Sequence, residues 1–390
     1  MKKLVCILLV FIAFNVKAQT YSINGTVTDE KGEAVSGATV FITNSSYITS
    51  TDNKGKFGFN GLQPGGYEVV IKMLGLAPVT QEIKLQEKNI HIVARLAEST
   101  IELNTVTIKG KTDYNTDLKR EKYLALFLKS FIGETVNAEQ CKLLNPAILN
   151  FYYDRDKGVL LANADDFLVV ENKALGYKLK YLLTEFAYDY NTNLCTIGGS
   201  PYFEELKGTD VQKKKWEVNR KTAYLSSGRH FFKAVMNNTA KTEGYIVAEF
   251  VDRPLTSKYG KTLVADRPLK IDSVFSVYNK NFRVLLPGIM GVGKDTVKLS
   301  RRFGLYVAYN GVKASPLFYK TGTPLRLKIK SMMKDPQESE IQLLADTIMI
   351  DRNGELSPNK KAIFSGYWGW LRIADLMPLD YFVDPLEGKK

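Results

Sequence analysis

Two tryptophans, an arginine and three carboxylates crowd the end of this chain. Tyr367-Trp368-Gly369-Trp370 is followed by Arg372, Asp375, Asp380, Tyr381 and Asp384. Indole faces stack on sugar rings, and glycoside hydrolysis needs two carboxylates, one to protonate the leaving oxygen and one to activate or replace water. Tyr367, Trp368, Trp370, Arg372 and Asp375 therefore form a candidate ligand platform. The same rings equally suit the core of a last domain, with Arg372 and Asp375 pairing at its edge. Spacing alone does not choose, because the separation of the carboxylates decides a glycosidase.

Other chemistries are less well supplied. Gly288-Ile289-Met290-Gly291-Val292-Gly293-Lys294 matches the first seven positions of a phosphate-binding loop and follows the apolar run Phe282 to Leu286. Asp295 stands where a hydroxyl would hold magnesium, and Thr296 to Tyr309 reads as strands, so no helix N-terminus completes an anion site. A glycine-rich hairpin is the better reading. The two histidines begin no zinc-ligand pair, since Ala94 lies three residues after His91 and Lys233 three after His230. Ser226 and Ser227 lie near His230 on one short segment, a placement that seldom yields triad geometry. Glu204-Glu205 reads as a solvated turn. No catalytic, cofactor-binding or metal-ligating residue is assigned, and no enzyme is expected.

The start of the chain bears on location. Met1-Lys2-Lys3 is a basic head, Leu4 to Phe14 is unbroken and apolar, and Val16-Lys17-Ala18 offers compact residues for a peptidase. That pattern is a secretory leader, residues 1–18, cut between Ala18 and Gln19. Its apolar run is shorter than the roughly 17 to 25 residues a spanning helix needs. The mature protein is expected to be exported, periplasmic or outer-membrane associated. In that compartment Cys141 and Cys195 are a candidate disulfide, although two separate thiols fit as well.

Charge is unevenly spread. The chain has 54 basic and 41 acidic residues, yet Thr20 to Gly110 holds 8 basic and 9 acidic. The excess lies beyond, where Lys213-Lys214-Lys215 and Arg301-Arg302 stand out. Such runs either solvate a surface or give peripheral contact with an anionic membrane. No nucleic-acid motif accompanies them.

These residues need elements to position them. Tyr21 to Thr28, Thr39 to Thr43, Phe57 to Phe59, Tyr67 to Met73, Val79 to Leu85 and Ile90 to Leu96 alternate and are punctuated by Gly, Pro, Asn and Asp. About seven such short strands predict an immunoglobulin-like or transthyretin-like β-sandwich over 19–97. The spacing Gly25-x-Val27-x-Asp29-x-x-Gly32, Val35-x-Gly37-Ala38-x-Val40, Thr51-x-x-x-Gly55-x-Phe57 and Leu62-x-x-Gly65-x-Tyr67 resembles the carboxypeptidase-regulatory-like domain family. That resemblance implies a non-catalytic sandwich, appended to exported enzymes, receptors and surface proteins, especially in Bacteroidota.

Residues 98–117 read as a strand, Ile101 to Gly110, and a polar linker. The strand resembles one found in TonB-dependent receptors, but too little chain follows for plug and barrel. From 118 to 390 a β-rich α+β domain with several helices is predicted. Leu118 to Ile132 carries one apolar helical face, and Asn137 to Leu144 suggests another short helix. Strands follow at Ile148 to Tyr153, Val159 to Ala164, Phe167 to Glu171 and Tyr177 to Tyr190. Then come a helix bearing Trp216, Arg220, Ala223 and Tyr224 on one face and another capped at Ser226-Ser227. Phe131-Ile132-Gly133-Glu134-Thr135, Leu144-Asn145-Pro146, Leu175-Gly176-Tyr177 and Phe203-Glu204-Glu205-Leu206 resemble a family of exported Bacteroidota proteins, a resemblance that implies architecture and compartment but no reaction. The whole predicts a mainly β, non-enzymatic envelope protein that binds or assembles, with an envelope protein or glycan as partner. The alternatives are a glycan-binding or glycan-cleaving protein using the C-terminal cluster, and an accessory to an outer-membrane transporter.

Overall fold

Alternation between Tyr21 and Arg95 produces seven strands: β1 (Tyr21–Thr28), β2 (Thr39–Ile42), β3 (Ile48–Ser50), β4 (Lys56–Leu62), β5 (Gly65–Lys72), β6 (Val79–Leu85) and β7 (Ile90–Arg95). The computed structural model describes residues 20–98, 117–252, 261–263, 275–279, 282–285, 303–325, 335–344, 348–357 and 362–383. The leader with Ala18 and Gln19, the strand expected at 101–110, the loop 288–294, Arg301-Arg302 and Asp384 lie outside the described residues.

One sheet of the sandwich runs β4-β1-β7 and the other β3-β2-β5-β6. They close on Ile23, Val40, Ile42, Phe57, Val69, Ile71 and Ile92. The turns are built alike. Asp29 Oδ1 accepts from the amides of Lys31 and Glu33, and Asp52 Oδ1 from those of Lys54 and Lys56. Gly32 and Gly55 supply the positive φ, +85° and +69°, that each turn requires.

Val40-Phe41-Ile42 and Val69-Val70-Ile71 are fully buried at every position. A strand with one wet face alternates, so an unbroken apolar run means that both faces are covered. Val40, Ile42, Val69 and Ile71 face the sandwich core, whereas Phe41 and Val70 point outward and pack on Leu182 and Tyr202 of the next body.

That body holds α1 (Asp117–Phe131), β8 (Cys141–Leu143), β9 (Leu149–Asp154), β10 (Val159–Ala164), β11 (Leu168–Asn172), β12 (Tyr177–Asp189), β13 (Leu194–Glu205) and α2 (Asp210–Leu225). Its sheet runs β8-β11-β12-β10-β9, with β13 on the other side of β12. Phe127 and Phe131 of α1 pack on Phe151, Tyr181 and Phe186, and Ile373, Ala374, Met377 and Tyr381 return from the far end of the chain to close this core. The short helix expected at Asn137 to Leu144 is replaced by a single tight turn, Ala138–Gln140, and then β8. Here pairing with β11 outweighs local helical spacing.

A second core follows within the stretch read as one domain. It is built by α3 (Gly228–Met236), β14 (Tyr245–Asp252), β15 (Lys261–Leu263), β16 (Phe275–Asn279), β17 (Phe282–Leu285), β18 (Phe303–Tyr309), α4 (Phe318–Thr321), β19 (Gln337–Leu343), β20 (Ile348–Asp351), β21 (Leu356–Ser357), β22 (Ala362–Gly366) and α5 (Tyr367–Trp370). The sheets run β15-β14-β18-β19-β22 and β16-β17-β20-β21. Phe231 and Val235 of α3 fill the space against Leu305, Val307, Ile341 and Ile350. The molecule is mainly β, a seven-stranded sandwich followed by a β-rich part. No described helix is long and apolar enough to cross a membrane.

Candidate functional site

The C-terminal cluster disperses when the chain folds. Tyr367, Trp368 and Trp370 are 5%, 8% and 8% exposed. Trp368 packs on Phe231 and Trp370 on Phe318, and the Trp370 indole donates to Thr321 Oγ1 at 3.0 Å. The expected platform is therefore core, because a stacking surface needs an open ring face. Asp375 lies in the other core, where its Oδ1 accepts from Asn137 Nδ2 at 2.9 Å and Thr135 Oγ1 at 3.2 Å. Burial pushes its carboxyl up to about 6 against those hydrogen bonds. Its contacts with Arg372 are to the backbone, the Asp375 amide donating to the Arg372 carbonyl at 2.9 Å. Arg372 packs instead over Gly133.

Cys141 and Cys195 stand as free thiols. Cys141 is opposite Asn172, whose neighbour on β12 is Tyr177, whereas Cys195 is opposite Tyr188 at the far end of β12. That register keeps them from bridging. Burial raises the two thiols to about 12 and about 11, in Cys195 against the opposing charge of Arg372, so neither is a ready nucleophile. Neither serine reaches the His230 ring. Ser227 Oγ caps α3 by accepting from the His230 amide, and Ser226 Oγ accepts from Gln337 Nε2. His230 Nε2 lies 2.7 Å from Glu243 Oε2, and Nδ1 lies 2.7 Å from the Tyr245 hydroxyl. This buried chain ties α3 to β14. His91 is an exposed residue of β7.

What does converge is a seam between the sandwich and the rest. Phe41 meets Tyr202 at 4.9 Å and Phe167 at 5.7 Å between ring centroids. Beside them the chain at Asn44 to Ser46 extends the free edge of β13. The Asn44 amide donates to the Pro201 carbonyl at 2.7 Å, and the Phe203 amide to Ser45 at 2.9 Å. Asn44 takes φ +59°, a conformation its short polar side chain tolerates. Glu68 Oε1 accepts from Thr43 within the sandwich and from Ser200 across the seam, both at 2.9 Å. Asp380 accepts from the Ser46 amide at 2.9 Å, and Lys72 pairs with Asp166 at 3.4 Å.

At one end of the seam lies a cluster of charged groups that the sequence reading missed. Asp351 is 3% exposed. Its Oδ1 accepts from the amides of Asn353 and Glu355, and its Oδ2 from the Gly66 amide of the sandwich at 2.5 Å. A Cβ at Gly65 would come within 2.5 Å of Asn353, and one at Gly66 within 2.9 Å of Asp351, so this pair of glycines lets the turn approach. Arg229 donates to the carbonyls of Met377, Pro378 and Tyr381. Burial pushes Asp351 up to about 6 and Glu355 up to about 7; the neighbouring Asp351 carboxylate also raises Glu355, and Arg229 opposes. Burial and Arg229 bring Lys233 down to about 8. Asp351-x-x-Gly354-Glu355 repeats the Asp-x-x-Gly spacing of the two sandwich turns, and that repeat was the available signal. The described residues contain no group of three acidic, histidine or cysteine side chains set to hold a metal. The cluster joins surfaces rather than lining an open site.

Residues 23–108 match the CarboxypepD_reg-like domain family. The match covers the regulatory-like sandwich and accords with the resemblance carried by its glycine spacing. No curated protein matches the chain. Solved structures similar to it include 3-chlorocatechol 1,2-dioxygenase from Rhodococcus opacus 1CP, at 10% identity over 22% of this chain and 62% of that one, TM-score 0.18. A streptococcal ancillary pilin has 13% identity over 21% and 34%, TM-score 0.19, and catechol 1,2-dioxygenase of Acinetobacter radioresistens 13% over 22% and 54%, TM-score 0.20. This chain covers less than two thirds of each, and at these values the likeness supports neither a shared activity nor a shared ligand.

Proposed function

We propose that this is an exported, non-enzymatic binding or assembly protein of the cell envelope, in which the regulatory-like sandwich is a docked arm of a larger body. The observation that carries the reading is the seam. Asp351, Glu68 and Asp380, carboxylates that in an enzyme would face a cleft, are used to bind one module to another. A carboxylate fixed by backbone amides and hydroxyls is poorly placed to move protons in a reaction and well placed to hold surfaces in register. The sandwich and the body then present a partner with one fixed surface, which lowers the ordering cost of docking.

Crosslinking in cells with a tagged copy, followed by envelope fractionation and mass spectrometry, tests this. One recurrent envelope partner supports the reading, and an outer-membrane transporter in that position would name the pathway. Recovery of uncrosslinked soluble monomer alone overturns it. The glycan reading loses its motivating residues, since Trp368 and Trp370 are in the core.

A further inference from the structure

The outward face of α2 breaks two rules that helices ordinarily keep. Cations are unfavourable in the first turn of a helix, where the backbone dipole is already positive, yet Lys213 closes that turn and Lys214 and Lys215 follow it directly, all exposed. Large apolar residues ordinarily turn inward, yet Val211 is 79% and Val218 66% exposed. Both are β-branched and weak helix formers. Trp216, Ala223 and Tyr224 already fill the buried side. At 100° per residue the two valines, seven apart, share the opposite side, with Lys214 and Lys221 along one flank and Lys215 along the other.

The acidic residues nearby are mostly engaged elsewhere. Glu171 pairs with Lys173, Glu205 with Arg220, and Glu217 accepts from the Tyr381 hydroxyl. Asp210, in the first turn, is the exposed exception. Lys207, Lys213, Lys214, Lys215 and Lys221 have no ion-pair partner among the described residues. At the foot of this face opens a cleft of about 330 Å³ lined by Lys173, Lys207, Lys215, Gln212 and Trp216, with one carboxylate, Glu171, which pairs with Lys173. Departures from local helix rules with no gain in the fold mark places where a surface serves something else.

We propose that the outward face of α2 seats on an anionic phospholipid surface, with Val211 and Val218 entering the headgroup boundary and the lysines and adjoining cleft meeting lipid phosphates. Charge complementarity selects this occupant, because a valine stripe flanked by lysines has the layout of helices that lie in a membrane interface. It stands independently of the assembly role.

Vesicle flotation of the purified protein, as its host processes it, tests the proposal. The protein floats with equimolar phosphatidylglycerol and phosphatidylcholine, and much less with phosphatidylcholine alone. Replacing Lys214, Lys215 and Lys221 by Gln lowers partition at least about tenfold, since each lysine near such a surface is worth roughly a fivefold change. V211S with V218S lowers it several-fold, and raising salt from about 0.05 to about 0.5 M weakens it. Replacing Lys31, Lys54 and Lys88 on the sandwich by Gln, the same change of net charge, leaves partition intact. Equal flotation with both lipids, equal losses from the two lysine triples, or no effect of the valine pair overturns the proposal. So does inorganic pyrophosphate binding at these lysines in a protein that does not float, which makes this a site for free phosphate.

Discussion

Trp216 has no room to move if Gly176 gains a side chain. A Cβ at Gly176 would stand 2.2 Å from the indole, and one at Gly208 would stand 2.3 Å from its other end. The ring is further fixed by its hydrogen bond to the Lys173 carbonyl at 3.0 Å. Gly176 also has φ +71°. Gly176→Ala is expected to cost about 3 kcal/mol, overpacking added to backbone strain. Gly32→Ala, at φ +85° with nothing within 4 Å, should cost only about 1 kcal/mol. Urea unfolding of both variants checks the difference, and equal losses would show that strain alone matters at Gly176. At this scale the sequence is legible where local spacing governs, as in the Gly, Asn and Asp punctuation between the sandwich strands. It misled where neighbours in sequence part in space. Tyr367 to Asp380 looked like one cluster, but the indoles enter one core, Asp375 another, and Asp380 reaches Ser46 of the sandwich.

Elements with a strong period were legible. The helix expected from Leu118 to Ile132 spans Asp117–Phe131, and the strand expected from Tyr177 to Tyr190 spans Tyr177–Asp189. β13 was not anticipated, because Gly198, Gly199 and Pro201 interrupt its pattern. Proline is tolerated there because β13 pairs with β12 on one side only, and on its free side the Pro201 carbonyl accepts from Asn44. The docking face was written in the apolar triplets of β2 and β5, which break alternation, but a triplet does not say what covers it. Phe41→Ala tests that face separately from the sandwich core. Phe41 is fully buried between the two bodies, so its loss should cost about 3 to 4 kcal/mol. Hydrogen exchange should then accelerate at Asn44 and Phe203, while the amides joining β1 to β4 keep their protection. Acceleration in both places alike would mean that the sandwich and body unfold as one unit, with no separable seam.

Across the whole molecule three buried carboxyls, two of them at the seam, make stability depend on pH with an uncommon sign. Most paired carboxylates have lowered pKa values and stabilise a fold as pH rises. Asp52, Asp154 and Asp189, held down by turn amides, act in that sense here, as does Glu243, held down chiefly by His230, and their effect is complete near the ordinary carboxylate range. Asp351, Asp375 and Glu355 are raised, to about 6, about 6 and about 7. Between the unfolded value near 4 and those folded values, the native state binds more protons than the unfolded chain, so unfolding free energy falls as pH climbs. Lys233, lowered to about 8, remains charged in both states below that value and does not offset the loss. The urea midpoint should therefore be higher near pH 5 than near pH 7.5, by stability on the order of 2 kcal/mol. Glu355→Gln removes the group with the highest raised carboxyl value and should flatten the dependence, and at pH 7.5 it should leave the protein at least as stable as the parent. A midpoint that rises from pH 5 to 7.5, or an unchanged slope in the variant, would show that the carboxylates at the seam stay ionised at acid pH. The sandwich would then be held to the body by fixed charge rather than by shared protons.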